Sequence, residues 1–321
     1  MNDQKTLPVR IGVSTCLLGE KVRFDGGHKR DAFLVDVFGR YVEWVPVCPE
    51  VEIGLGTPRE PIRLIQQENG IQILISKSGA DHTEAMRNFA ARRVEELGKE
   101  DLSGYVLKSN SPSCGIERVR VYQPSGIANR TGTGLFAGVL MKSFPNLPVE
   151  EEGRLRDARL RENFISRVFA YQRWQRATQN GVNRAALTRF HERHKFLLMA
   201  HNQTGTRRLG RLLGTPKQFS DDCALAAEYM QEFSNVMRRT PTIRNHTNVL
   251  QHMAGYFSRD LTTDDRRELA DTILQYRQEL LPLIVPITLI RHYVRKHNVA
   301  YLQSQVYLDP HPYELMLLNQ L

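Results

Sequence analysis

Val9-Arg10-Ile11-Gly12-Val13-Ser14, followed at once by Thr15-Cys16-Leu17-Leu18-Gly19, is the stretch whose reading decides the fold class. A short run rich in β-branched residues, closed by small and turn-forming ones, predicts a buried strand and is too brief for a helix. Residues 42–47 (VEWVPV) and 104–108 (GYVLK) have the same form. Between these two lies 81–97, where Ala85, Phe89, Val94 and Leu97 set an apolar stripe against Arg87, Arg92 and Glu96, as on a surface helix. Strands alternating with helices predict an α/β domain with a largely parallel, Rossmann-like sheet.

The texture changes from residue 150. Leu155, Ala158, Ile165, Val168 and Phe169 mark one face of a helix, and Arg154, Arg156, Arg159 and Arg161 fall largely elsewhere, giving a basic amphipathic helix. Gln179-Asn180-Gly181 is a turn signal, so domains of 1–180 and 181–321 are expected. Past it, 184–202, 221–238, 244–257, 264–281 and 287–297 read as helices punctuated by Gly, Pro and Asn, which predicts an all-α second domain.

Composition is that of a globular protein: 321 residues, 41% hydrophobic and 25% charged, which excludes wholesale disorder, collagen-like repetition and a coiled-coil rod. The net charge is +9, and a cut at residue 180 divides it into +4 (26 basic, 22 acidic) and +5 (18 basic, 13 acidic). A basic excess straddling the junction points to a polyanionic partner. The longest apolar run, 280–290, is too short to span a bilayer and contains Pro282 and Pro286. The first eight residues lack the apolar stretch of a signal peptide, so a cytoplasmic protein is expected. Four cysteines in a chain of this kind do not form a disulfide framework.

Their placement carries more. Cys16 follows the first strand, Cys48 the second, and Cys114 the third after Ser109-Asn110-Ser111-Pro112-Ser113. Ligands of open parallel sheets bind outside the carboxyl ends of the strands, so the three thiols are expected to converge there. A free cysteine is most often a small buried hydrophobe, but turn residues beside each of these three favour a shared site. Cys223, behind Asp221-Asp222 in a helix, lacks that setting. Three thiolates without a fourth suit a soft metal centre with an open position. Zinc with a water and an iron–sulfur cubane with one free iron both satisfy this, and the spacing does not choose between them.

Cys16-Leu17-Leu18-Gly19 with Val22-Arg23-Phe24-Asp25-Gly26-Gly27, then Val47-Cys48-Pro49-Glu50, then Lys108-Ser109-Asn110-Ser111-Pro112-Ser113-Cys114-Gly115 together resemble, in order, the thiouracil desulfidase family, over about residues 8–170. The resemblance implies an α/β domain holding a 4Fe–4S cluster by Cys16, Cys48 and Cys114, with one iron left for the sulfur of the substrate. It further implies catalytic roles for Glu50, as the base delivering water, and for Ser111, as a hydrogen-bonding or proton-shuttling group at the pyrimidine. Exchanging sulfur for oxygen leaves the carbon at one oxidation level, so no redox partner is needed. Lys108, Ser109, Asn110 and Asp25 are candidates for binding the base or a phosphate, although Asp25-Gly26-Gly27 reads equally as a tight turn.

Phe190-His191-Glu192-Arg193-His194-Lys195-Phe196-Leu197-Leu198-Met199-Ala200-His201-Asn202, with Leu209-Gly210, resembles a helical domain found fused to desulfidase domains. The combined architecture is similar to that of bacterial tRNA 4-thiouridine desulfidases, which implies tRNA as partner, gripped by the helical part. Candidate RNA contacts are then His191 and Lys195, a basic loop of Arg207, Arg208, Arg211 and Lys217 behind Thr204-Gly205-Thr206, and a track of Arg154, Arg156, Arg159 and Arg161 leading to the cysteines. His191 and His194 are spaced like a zinc pair, yet Leu187, Phe190, His194, Leu197 and His201 form one helical stripe, which favours an interhelical histidine. Gly132-Thr133-Gly134 continues to Gly138 with the wrong spacing for a dinucleotide fingerprint, so no nucleotide cofactor is expected. A salvage enzyme for free thiouracil and a non-catalytic, metal-stabilised RNA-binding protein are the alternatives.

Overall fold

In the computed structural model, which describes residues 8–68, 70–215 and 219–319, strand β1 (Arg10–Ser14) lies between β2 (Glu43–Val47) and β5 (Leu102–Leu107). With β8 (Val149–Glu151) on the outer side of β5, they make a sheet of order β2-β1-β5-β8, parallel throughout. Strand β5 is buried along its whole length, as a central parallel strand covered on both faces must be. Gly12 pairs with Tyr105 across the ladder, and a Cβ there would come 2.1 Å from the Tyr105 ring, so this buried tyrosine requires a glycine opposite it. Helices α2 (Thr83–Leu97) and α3 (Leu135–Ser143) pack together beside the sheet through Phe89 and Phe136, and Phe136 also meets Tyr105. The expected α/β domain is present, with all three expected strands and the helix over 81–97.

A second sheet was not anticipated. Its order is β4-β3-β6-β7: the antiparallel hairpins β3 (Ile62–Gln67)/β4 (Gly70–Ile75) and β6 (Val119–Tyr122)/β7 (Ala128–Gly132), joined by parallel pairing of β3 with β6. In β3 and β6 buried apolar residues alternate with exposed polar ones, so Arg and Gln interrupt the apolar run by which the strands of the first sheet announce themselves.

The chain divides into compact units between Asp157 and Ala158. The turn at 179–181, read as the boundary, instead separates helix α4 (Ala158–Thr178) from α5 (Arg184–His201) inside the second unit. The reason is packing: Ala170 enters the helical core, Trp174 stacks on Tyr229 and meets Phe190 edge-on, and Asn163 donates to the Met237 carbonyl at 3.1 Å. The charge ledger moves with the boundary. Residues 1–157 hold 21 Lys+Arg and 21 Asp+Glu, whereas 158–321 hold 23 and 14, so the whole +9 falls on the helical unit.

Helices α7 (Asp222–Met237), α8 (Ile243–Gly255), α9 (Thr263–Arg277) and α10 (Ile284–Lys296) stand where the periodicity predicted them. Asn183, Asp221, Thr242 and Thr262 cap α5, α7, α8 and α9 by accepting a backbone N–H of the first turn. Helix α6 (Gln203–Gly214) replaces the expected basic loop. Its glycines lower helix propensity, but Gly205 is buried where a Cβ would meet Val236 at 2.3 Å, and Asn202 caps the helix at the Gly205 N–H. No described helix is long and apolar enough to cross a membrane.

Candidate active site

A cavity of about 370 Å³ opens at the carboxyl ends of β1, β2 and β5, and Cys16, Cys48 and Cys114 all line it. Cys16 sits in the turn that ends β1, and its carbonyl accepts the Lys29 N–H at 2.9 Å, which folds back the segment carrying Arg23 and Phe24 to line the cavity too. Cys48 is the cap of the short helix α1 (Pro49–Glu52), and the Glu52 carboxylate accepts the Cys48 N–H at 2.9 Å.

Cys114 ends the loop after β5, which is tied from two sides. The Ser111 hydroxyl oxygen accepts the N–H of Ser113 (3.2 Å) and of Cys114 (3.1 Å). The first N–H groups of α3, at Leu135 and Ala137, meet the carbonyls of Pro112 and Ser113 at 3.2 and 3.1 Å. Helix and loop approach so closely that a Cβ on Gly134 would lie 2.5 Å from the Ser113 carbonyl.

Burial is the largest influence on each thiol. It pushes Cys16 up to about 11, helped by Cys48 and opposed by Lys108 and Arg23. Burial and then the Glu50 charge raise Cys48, and burial with Glu50, Cys16 and Cys48 raises Cys114 further still.

Glu50 projects into the same cavity from α1 with both carboxylate oxygens held. Arg59 donates to Oε2 through Nε at 3.1 Å and Nη2 at 2.5 Å, and the Ser113 hydroxyl donates to Oε1 at 3.1 Å. Arg59 is itself fixed by the carbonyls of Val22 (3.0 Å) and Gly56 (2.8 Å). The side chains of Arg59 and Glu50 are 6% and 15% exposed, so water hardly screens the pair.

Lys108 and Ser109 line the cavity with their polar groups gathered by Glu152. The Lys108 ammonium lies 2.5 Å from Oε1, and the Ser109 N–H and hydroxyl donate at 2.7 and 2.8 Å. Asn110 is exposed and takes φ of 58°, the left-handed corner of the loop. Asp25 stands outside the cavity lining, exposed, accepting the Gly27 N–H at 3.0 Å and Arg23 at 3.3 Å. It is a turn residue here, its carboxyl held below the usual range by those two partners.

Of the residues assigned to RNA, Arg154 pairs with Glu150 (2.7 Å) and Glu117 (3.5 Å), Arg156, Arg159 and Lys195 are exposed, and Arg161 is half-buried. Arg207 and Arg211 are exposed on α6, and Arg208 is held by Glu232 at 2.5 Å. Lys217 lies outside the described residues. His191 is half-buried: its Nδ1 is 3.1 Å from the Tyr229 hydroxyl, and burial lowers its pKa to about 4. His194 is buried and stacked on Phe190, with Nδ1 2.7 Å from the Phe190 carbonyl. Among the described residues, no group of three or more His, Cys, Asp or Glu side chains is arranged to hold a metal ion. Arg59, Ser113 and Glu152 were missed. Ser113 reads as one more serine of a turn, Glu152 as part of an acidic run on a solvated face, and no spacing ties Arg59 to Glu50.

A model of the 2-thiouracil desulfurase family matches residues 11–152, which include the whole cavity lining, and a model of a family of unknown function, DUF1722, matches 195–312. The Escherichia coli K12 protein YbgA is 31% identical over 154 residues, spanning 48% of this chain and 91% of its own. The Bacillus subtilis 168 protein YbbK is 33% identical over 138 residues, spanning 41% and 90%. Among solved structures, a 4Fe–4S-dependent thiouracil desulfidase, TudS, is similar at 31% identity and a TM-score of 0.39, over 46% of this chain and 94% of its own.

Proposed function

The chain belongs to the 2-thiouracil desulfurase family, and from that premise we propose that it replaces the thiocarbonyl sulfur of 4-thiouridine in tRNA by oxygen, in the cytoplasm, with a 4Fe–4S cluster held by Cys16, Cys48 and Cys114. The observation that carries this reading is the meeting of three thiols and a fixed carboxylate in one cavity. The donor set fits such a group. Three cysteine sulfurs and no imidazole in the cavity lining match the thiolate ligation of such a cluster, with one iron left open to the cavity. Burial and mutual repulsion also disfavour three free thiolates, a cost that a soft cation offsets.

The reaction consumes water and releases hydrogen sulfide while the ring carbon passes from C=S to C=O, so electrons balance without a partner. When bound, the cluster would supply a soft Lewis acid at its open iron for the departing sulfur. The protein does the rest. Arg59 ties Oε2 of Glu50, which leaves Oε1, shared with the Ser113 hydroxyl, to take a proton from water. The Ser111 hydroxyl already accepts two N–H groups, so its own proton is available to a pyrimidine oxygen or nitrogen. Lys108, paired with Glu152, places ammonium N–H donors at the cavity for the base.

The charge of the helical unit supports an RNA substrate, since phosphates reward lysine and arginine irrespective of sequence. Nucleoside analysis of tRNA after incubation with anaerobically reconstituted protein is the test, and 4-thiouridine is expected to give way to uridine with one sulfide per base. Conversion of free thiouracil with tRNA left untouched would replace the RNA substrate by a salvage role for the same chemistry.

A further inference from the structure

The second sheet carries charge that its own fold does not use. Its four strands hold three arginines, Arg63, Arg120 and Arg130, and no aspartate or glutamate. All three arginines are exposed while Ile62, Leu64, Val119 and Val121 are buried, so they share the outer face. Arg120 stands opposite Arg130 in the β6/β7 hairpin. Leu64 pairs with Val121 in the parallel ladder, which sets Arg63 beside Arg120 one residue earlier. The arginines thus form a row across β3, β6 and β7. Like charges opposite one another cost a sheet stability, and among the described residues none of the three has a carboxylate partner. The Arg63 guanidinium lies instead over the Tyr122 ring, 4.8 Å from its centre.

This row lines a groove of about 370 Å³ together with Tyr122. Ile62, Asn110 and Pro112 line both the groove and the cysteine cavity, so the two adjoin within one unit. Guanidinium groups grip phosphate bidentately, and an aromatic ring under an arginine offers a flat surface for a base.

We infer that the arginine row seats the phosphodiester backbone of the nucleotides next to the thiolated base, so that the first unit, neutral in sum, grips RNA at the mouth of its own catalytic cavity. The inference rests on the reading of this chain as acting on RNA. Its test uses the full chain with the triple substitution R63Q/R120Q/R130Q, and a single-stranded RNA oligonucleotide containing 4-thiouridine, whose Kd is measured by fluorescence anisotropy against KCl concentration. The Kd should rise about tenfold or more, and the log–log salt slope should become shallower by about two, the counterions freed by three phosphates of a single strand. The melting temperature should not fall, because the substitution relieves like-charge opposition, and turnover of free thiouracil by reconstituted protein should stay at the level of the parent. The charge-preserving R63K/R120K/R130K should recover the slope and part of the affinity. An unchanged Kd and slope in the folded glutamine variant would overturn the inference, as would loss of inorganic phosphate binding with RNA affinity intact. If the parent binds RNA but converts no thiolated base, the desulfidase reading fails while Kd and slope still decide the row.

Discussion

At Glu50, one carboxylate is asked to be both a fixed anion and a proton acceptor. The fixing is done by Arg59, buried with it, at a site where solvent can replace little of the attraction. Removing one partner of such a pair strands the other, so Arg59→Met should destabilise the first unit by about 3 kcal/mol, and adding Glu50→Leu should restore most of it. Urea unfolding followed by Trp44 fluorescence in a Trp174→Phe background reads this directly, since the chain holds two tryptophans, one in each unit. Glu50→Gln preserves shape and hydrogen bonding but not basicity. It should keep the iron content of the parent while lowering kcat by about a hundredfold or more, the usual worth of a positioned base. Cys16→Ser should instead lower iron per chain, measured with sulfide after anaerobic reconstitution, and a full complement of iron in that variant would remove Cys16 from the ligand set.

The elements that position these residues differed in how plainly the sequence shows them. Strands β1 and β5 are buried in the parallel sheet and so read as apolar runs, β2 at its edge shows the same run of Trp and Val though only Val47 is fully buried, and the cysteines at the ends of these runs were legible with them. Helix α6 was hidden because Gly205 and Gly210 look like loop residues, and only the approach of Val236 to Gly205 explains the glycine. The second sheet was hidden because polar residues break the apolar run of its strands, Arg63 alternating with buried Ile62 and Leu64 in β3 and Arg120 with Val119 and Val121 in β6. The clamp of Arg59 and Ser113 on Glu50 joins three segments whose spacing carries no common period, so tertiary structure alone brings them together. Gly134 belongs to this class too. Gly134→Ala would drive a methyl against the Ser113 carbonyl, shift α3 from the loop that carries Cys114, and reduce iron binding without touching a ligand, whereas Gly138→Ala in the same helix, where a Cβ would meet nothing nearer than Thr133 at 3.8 Å, should leave iron content unchanged. Equal iron in the Gly134→Ala protein and the parent would show that the loop holds its form without α3.

Across the whole molecule, the division at Asp157 separates a neutral catalytic unit from a helical unit that carries all of the net charge. The helical unit also buries His194, His201 and His246 as neutral groups. Desolvation lowers His194 and His246 to about 3 and His201 to about 4 from an ordinary 6.5. Unfolding lets each take up a proton, so the stability they allow is complete above about pH 6.5 and drains as pH falls toward 4, at about 1.4 kcal/mol per pH unit for each group. Thermal melts followed through Trp174 should therefore drop steeply between pH 6.5 and 5, and a flat profile would mean that these rings are hydrated in the native state. The charge itself makes a sharper prediction about RNA. Arg207 and Arg211 stand exposed on α6 without an ion pair among the described residues, whereas Glu232 already neutralises Arg208. If the helical unit binds tRNA through its phosphates, Arg207→Gln with Arg211→Gln should weaken binding by about tenfold at 50 mM salt, equally for thiolated and unthiolated tRNA, because phosphate contacts carry no base information. Arg208→Gln should cost far less, since its charge is spent on Glu232. Filter binding at 50 and 200 mM salt separates the cases: equal losses for the paired and the unpaired arginines would mean that the unit is read by its total charge, and a loss confined to thiolated tRNA would move these residues from the backbone to the base.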